Sequence, residues 1–163
     1  MRALLKVIVP GGVGVAIALV AALAIRAPWA ASPADSEEVS PMGHRVVIQI
    51  SEDDPKTMNL ALNNAENLTD FYKQRNEKVQ IEFVAFGPGI AMVRDDKSPV
   101  KDRLALISHE YKNITFSGCG NTLAKTSKAE GRQITLLPEA HLVPTGIARI
   151  VQLEEMGWTY VRP

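Results

Sequence analysis

From His44 onward the chain alternates short apolar runs with stretches of helical spacing, the last of these runs being Trp158–Val161. This alternation limits the fold more than any other feature. Strands joined through a helix run parallel, because the crossover carries the chain back to the end at which the previous strand began. A parallel sheet is covered on both faces, so its strands read as apolar runs and not as strict apolar–polar alternation. The expected fold is therefore α/β: a doubly wound, flavodoxin-like three-layer sandwich around a five-stranded, mainly parallel sheet.

The elements follow in order. His44–Ser51 (HRVVIQIS) reads as the first strand. Asp54-Pro55 gives a helix cap followed by proline in the first turn, and Met58, Leu62, Ala65, Leu68 and Tyr72 then recur at helical spacing. Val79–Phe86 reads as the second strand, closed by the turn Gly87-Pro88-Gly89. Ser98-Pro99 repeats the cap-plus-proline signal and leads a helix through Leu104 and Ile107 to about Tyr111. Ile114–Ser117 is the third strand, Asn121–Ala129 a short helix ending near Gly131, and Gln133–Leu137 the fourth strand. A loop from Pro138 to Pro144 leads to a helix that starts near Thr145, buries Ile147, Ile150, Val151 and Leu153, and stops at Gly157. Trp158–Val161 is the fifth strand.

The 163 residues allow one ordinary domain and an appendage. Arg2 and Lys6 precede an uncharged, mostly apolar stretch from Val7 to Ile25, and Arg26 and the small, Pro-containing segment to Asp35 follow it. That is the layout of an export signal, without a twin-arginine pair. As a helix the stretch would span about 28 Å, close to the ~30 Å of a bilayer core, so cleavage and retention as an anchor both stay open. Either way the basic flank holds the N-terminus inside, and the C-terminal domain is expected outside the cytoplasm, in a periplasmic or other extracytoplasmic compartment. Residues 35–43 read as a linker. Residues 1–34 hold three of the 18 basic residues and no acid, so the remainder carries 15 basic against 18 acidic residues, a net charge of −3. A mildly acidic domain with no basic cluster argues against a nucleic-acid partner.

Cys119 is the single cysteine, set in Ser117-Gly118-Cys119-Gly120-Asn121-Thr122 between a strand and a helix. A thiol at such a turn meets free backbone N–H groups and the positive end of a helix dipole, with Asn121 or Thr122 as the expected cap. A fall of about 1.5 units from the ordinary thiol pKa would make the nucleophilic thiolate the major form near neutrality. The flanking glycines Gly118 and Gly120 read as room for another molecule to approach. The alternative is a small buried hydrophobe. One cysteine forms no internal disulfide, and without Cys-x-x-Cys there is no dithiol exchange within the chain. Reactive groups of open parallel sheets gather at the carboxyl ends of the strands. Glu52-Asp53-Asp54, Gly87-Pro88-Gly89, Gly118-Cys119-Gly120 and the loop carrying His141 all map to that edge, with Asp53, Asp54, Asn121 and His141 as possible neighbours of the sulfur.

Other patterns weigh less. Glu52-Asp53-Asp54 reads first as a helix cap with solvated neighbours, and as a base or metal cluster second. Three carboxylates after the first strand also oppose a phosphate there. Gly87-Pro88-Gly89 falls short of a dinucleotide fingerprint, and no Walker motif occurs. His44, His109 and His141 lack metal-ligand spacing. No cofactor or metal is expected.

Three segments together resemble the DsrE/DsrF-like, sulfur-relay type of protein over His44–Pro163. They are Leu60–Leu68 (LALNNAENL) followed by Val84–Ile90 (VAFGPGI), the cysteine segment Ser117–Leu123 (SGCGNTL), and Val143–Pro163 with Gly157-Trp158-Thr159-Tyr160-Val161. The resemblance implies a flavodoxin-like domain that assembles as a homo-oligomer, a trimer or hexamer. It also implies a cysteine at Cys119 that carries sulfane sulfur as a persulfide, received from and passed to a protein or a small sulfur compound. The relays of that family work in the cytoplasm, and the leader here departs from them. The competing expectation is a binding or assembly module without turnover, whose cysteine is structural. Trp158, Tyr160 and Leu142–Val143 are the expected subunit contacts.

Overall fold

The computed structural model of the protein describes residues 43–163. The expected leader, and all but the last residue of the linker, lie outside the described residues. The elements are β1 (His44–Ile50), α1 (Pro55–Gln74), β2 (Val79–Ala85), a 3-10 segment (Gly87–Val93), α2 (Lys101–Glu110) and β3 (Ile114–Cys119). There follow α3 (Gly120–Glu130), β4 (Ala140–Val143), α4 (Gly146–Glu155) and β5 (Thr159–Val161). The sheet order is β4-β3-β2-β1-β5, and every pair is parallel. With helices on both faces, this is the flavodoxin-like α/β sandwich expected.

The two faces differ. Val46, Ile48 and Ile50 of β1, Ile81 and Phe83 of β2 and Phe116 of β3 meet Met58, Leu62 and Ala65 of α1 and Leu104 and Ile107 of α2. Leu123 of α3 packs against the same core. On the opposite face Val47 and Val84 meet Ile150 and Leu153 of α4, with Phe86 and Trp158 at the margin. The chain thus leaves β3 toward one face and β4 toward the other. Such a divergence is a topological switch point, and it opens a crevice outside the carboxyl ends of those two strands.

Local signals explain most boundaries. The Asp54 carboxylate accepts from the N–H groups of Lys56 and Thr57, both at 3.1 Å, and Pro55 takes the first helical position. Gly131 ends α3 at φ +65°, a left-handed value that favours glycine.

Several expectations are corrected. The fourth strand is Ala140–Val143 and not Gln133–Leu137, so His141 lies in a strand. Ile134 and Leu137 are buried, but their segment crosses as irregular chain, with the Leu137 N–H donating to the Val93 carbonyl at 2.9 Å. The real β4 is a short edge strand with exposed His141 and Leu142, so it shows no apolar run. β3 extends two residues further than expected, to Cys119, and α3 begins at Gly120. Gly87-Pro88-Gly89 opens a 3-10 helix and is not a simple turn. The helix after Ser98-Pro99 starts only at Lys101; the Ser98 hydroxyl donates to the Met92 carbonyl and accepts from the Val100 N–H at 3.4 Å. α4 buries Ile150 and Leu153 but leaves Ile147 and Val151 exposed, because no other helix flanks it on its face among the described residues.

Candidate functional site

Cys119 ends β3 at the switch point, level with Val143, the last residue of β4. It is also the N-cap of α3: its Sγ accepts from the Thr122 N–H at 3.4 Å. The start of α4 reaches the same place, with Thr145 and Ile147 beside the sulfur. Burial pushes the Cys119 thiol up. The Thr122 hydroxyl and the N–H groups of Gly146, Thr122 and Asn121 together outweigh that, and the thiol sits below its ordinary value. Only 4% of Cys119 is exposed. Its sulfur borders a cavity of about 280 Å³ lined by Phe86, Asn121, Thr122, Lys125, Thr145 and Ile147.

The neighbouring loops are tied to this point. The Gly87 N–H donates to the Thr122 hydroxyl at 3.1 Å, joining the loop after β2 to the first turn of α3. The Asn121 N–H donates to the Pro144 carbonyl at 3.2 Å, joining α3 to the loop before α4. The two glycines are closely packed. A Cβ on Gly118 would lie 2.8 Å from Leu136, and one on Gly120 would lie 3.2 Å from the Val143 carbonyl oxygen. At both positions the protein's own chain lies close enough to favour a residue without a side chain.

Of the residues expected around the sulfur, Asn121 lines its cavity. Asp53 lines an adjoining cavity with Gly87, Thr122 and Lys125. Asp54 is committed to capping α1, and its hydrogen bonds to Thr57 and Lys56 hold its carboxyl below the usual value. His141 pairs with Ser117, one pleat back from the sulfur, and lines a different cavity together with Glu82, Ser117 and Arg149. Among the described residues no group of three His, Cys, Asp or Glu side chains is placed to hold a metal, and no helix is long and apolar enough to cross a membrane.

The sequence reading missed a polar network on the α4 face. Glu82 is 4% exposed, and its carboxylate accepts from Ser117 Oγ at 2.7 Å and from Arg149 Nε and Nη2 at 2.9 and 2.7 Å. One signal could have found it: a single acid inside the apolar run VQIEFVAF.

No protein-family model and no curated protein sequence matches this chain. Among solved structures it is similar to "Protein of Unknown Function MTH1491" from Methanobacterium thermoautotrophicum. The two are 31% identical, the match covers 74% of this chain and 99% of that one, and the TM-score is 0.61. At that identity over essentially the whole of the archaeal protein, this chain belongs to the same family as MTH1491.

Proposed function

We propose that the protein is a sulfur carrier of the DsrE/DsrF-like type in which Cys119 accepts sulfane sulfur as a persulfide and passes it on. The observation that supports this reading is a single thiol at the switch-point crevice that caps α3, borders a cavity shared with the start of α4 and sits below its ordinary value. N–H donors at a helix start stabilise a sulfur anion, whether thiolate or persulfide, without supplying a base that must be reset. In the loading step the Cys119 thiolate attacks a sulfane sulfur of a polysulfide. A new S–S bond forms, the S–S bond behind the attacked sulfur breaks, and its electron pair leaves on the shortened polysulfide. No external oxidant is needed. The donor is a protein or small sulfur compound, and the domain works as an exported homo-oligomer.

Mass spectrometry after polysulfide exposure tests this directly. The expected product is Cys119 heavier by one sulfur atom. A preparation that alkylates readily at Cys119 but never takes up sulfur would count strongly against the carrier. The slight exposure of Cys119 favours a second reading, a non-catalytic binding or assembly module with a structural cysteine. Thiol titration of the folded protein separates the two: a thiol that reacts only after denaturation supports the module.

A further inference from the structure

We propose that Glu82 is a positioning residue for the Cys119 sulfur, a clip that holds α4 in register with β3. The inference rests on reading Cys119 as the working group, but its test does not depend on sulfur transfer. Ser117, one partner of Glu82, lies two residues before Cys119 and on the same face of β3. Arg149, the other partner, lies on α4, whose first residues Thr145 and Ile147 line the same cavity as the sulfur. One buried carboxylate therefore spans the two elements whose separation sets the contact between the sulfur and the start of α4.

Apolar packing does not do this. Val47, Val84, Ile150 and Leu153 hold α4 over β1 and β2, while the sulfur is on β3. Dispersion contacts are also weakly directional, whereas a forked guanidinium–carboxylate pair fixes an orientation. A buried ion pair seldom adds stability over an apolar pair of similar volume. Val84, beside Glu82 on the same face, shows that apolar residues fit there. The distinct contribution of Glu82 is thus geometry.

Charge and geometry predict opposite signs. Glu82 is an anion, so its removal on electrostatic grounds alone would favour the thiolate, the more so with Arg149 left unpaired. Loss of position would instead draw the start of α4 away from the sulfur and disfavour it. Lys125 on α3, which lines the sulfur's cavity, Asp53 in the adjoining one and His141 on β4 stay unchanged in the comparison.

The experiment is the rate of iodoacetamide alkylation against pH on the full chain, where Cys119 is the single thiol. Glu82→Ala and the refilled double variant Glu82→Leu/Arg149→Met are each expected to move the profile to higher pH. Alkylation should slow about fivefold or more near neutrality, as the thiolate fraction falls. Arg149→Lys, which keeps the charge but not the fork, is expected to fall between. Ser117→Ala, too small a change to threaten the fold, should shift the profile the same way by less. A folded double variant with the wild-type profile, or single variants that shift to lower pH, would overturn the clip. If the profiles move as expected but no persulfide ever forms, the clip stands and the carrier reading falls.

Discussion

Cys119 has two structural duties, last residue of a strand and cap of a helix, and its replacements separate them. Serine keeps an acceptor for the Thr122 N–H, while alanine does not. Cys119→Ser should therefore unfold within about 1 kcal/mol of wild type, and Cys119→Ala about 1 kcal/mol lower, the usual worth of a cap. Both should lose all sulfur uptake. Denaturant unfolding and mass spectrometry check the pair. Equal stability of the two would show that the sulfur contributes no cap. Gly146 gives a second test. A Cβ there would lie 2.9 Å from the Cβ and Cδ1 of Phe86, so the first turn of α4 must shift. Gly146→Ala should slow Cys119 alkylation near neutral pH several-fold, and an unchanged rate would mean that this turn does not set the thiol. The cysteine and its helix were legible in sequence, because a strand–glycine–helix pattern is local. The second helix start was not, since Gly146 comes 27 residues after Cys119 and nothing in its neighbourhood marks the approach.

Among the elements, the connection between the 3-10 segment and the end of α3 has its own electrostatic tie. Arg94 is 1% exposed, donates to Glu130 at 2.7 Å and forms a forked pair with Asp96 at 2.9 and 2.8 Å; Arg132 also reaches both acids. Arg94 first, and Arg132 second, hold the Asp96 carboxyl well below the usual carboxylate range. The folded state therefore binds this proton less readily than the unfolded chain. The resulting stability is complete above the ordinary carboxylate value of about 4 and is lost as pH falls toward the folded value. Wild type should weaken on acidification below about pH 4, and Asp96→Asn should be less stable at neutral pH but flatter in acid. Thermal midpoints across that range decide it; parallel curves for the two proteins would contradict the assignment. Arg94→Met should cost roughly 2 kcal/mol, less than a wholly enclosed pair because water reaches both acids. This element-level reading also shows why Gln133–Leu137 misleads. Its apolar residues are needed under Val93 and Gly118 as filling, and filling imposes no strand geometry.

At the scale of the molecule, the sheet leaves apolar side chains at both edges. Leu142 on β4 and Tyr160 on β5 are exposed, and Ile147 and Val151 stand outward on α4. Because β4 and β5 are opposite edges, a contact using both joins unlike surfaces of two copies, the geometry that closes into rings. Residues 36–163 should therefore elute well above the mass of one domain, and Leu142→Lys should lower that mass. Light scattering that gives a monomer at micromolar concentration would end the homo-oligomer proposal.

The α/β class, the parallel sheet, the capped first helix and the position of the cysteine were all set by the sequence itself, because each depends on residue type at short spacing. Periodicity reports which side chains seek burial, and caps and glycines report where the backbone turns. Only the tertiary structure decided that β4 is an edge strand, that the switch point falls between β3 and β4, and that α4 brings its first turn to Cys119. Those depend on contacts between residues far apart in the chain. The pairing of Glu82 with Arg149 across 67 positions is the clearest case, since a lone acid in an apolar strand announces that a partner exists but not where it lies.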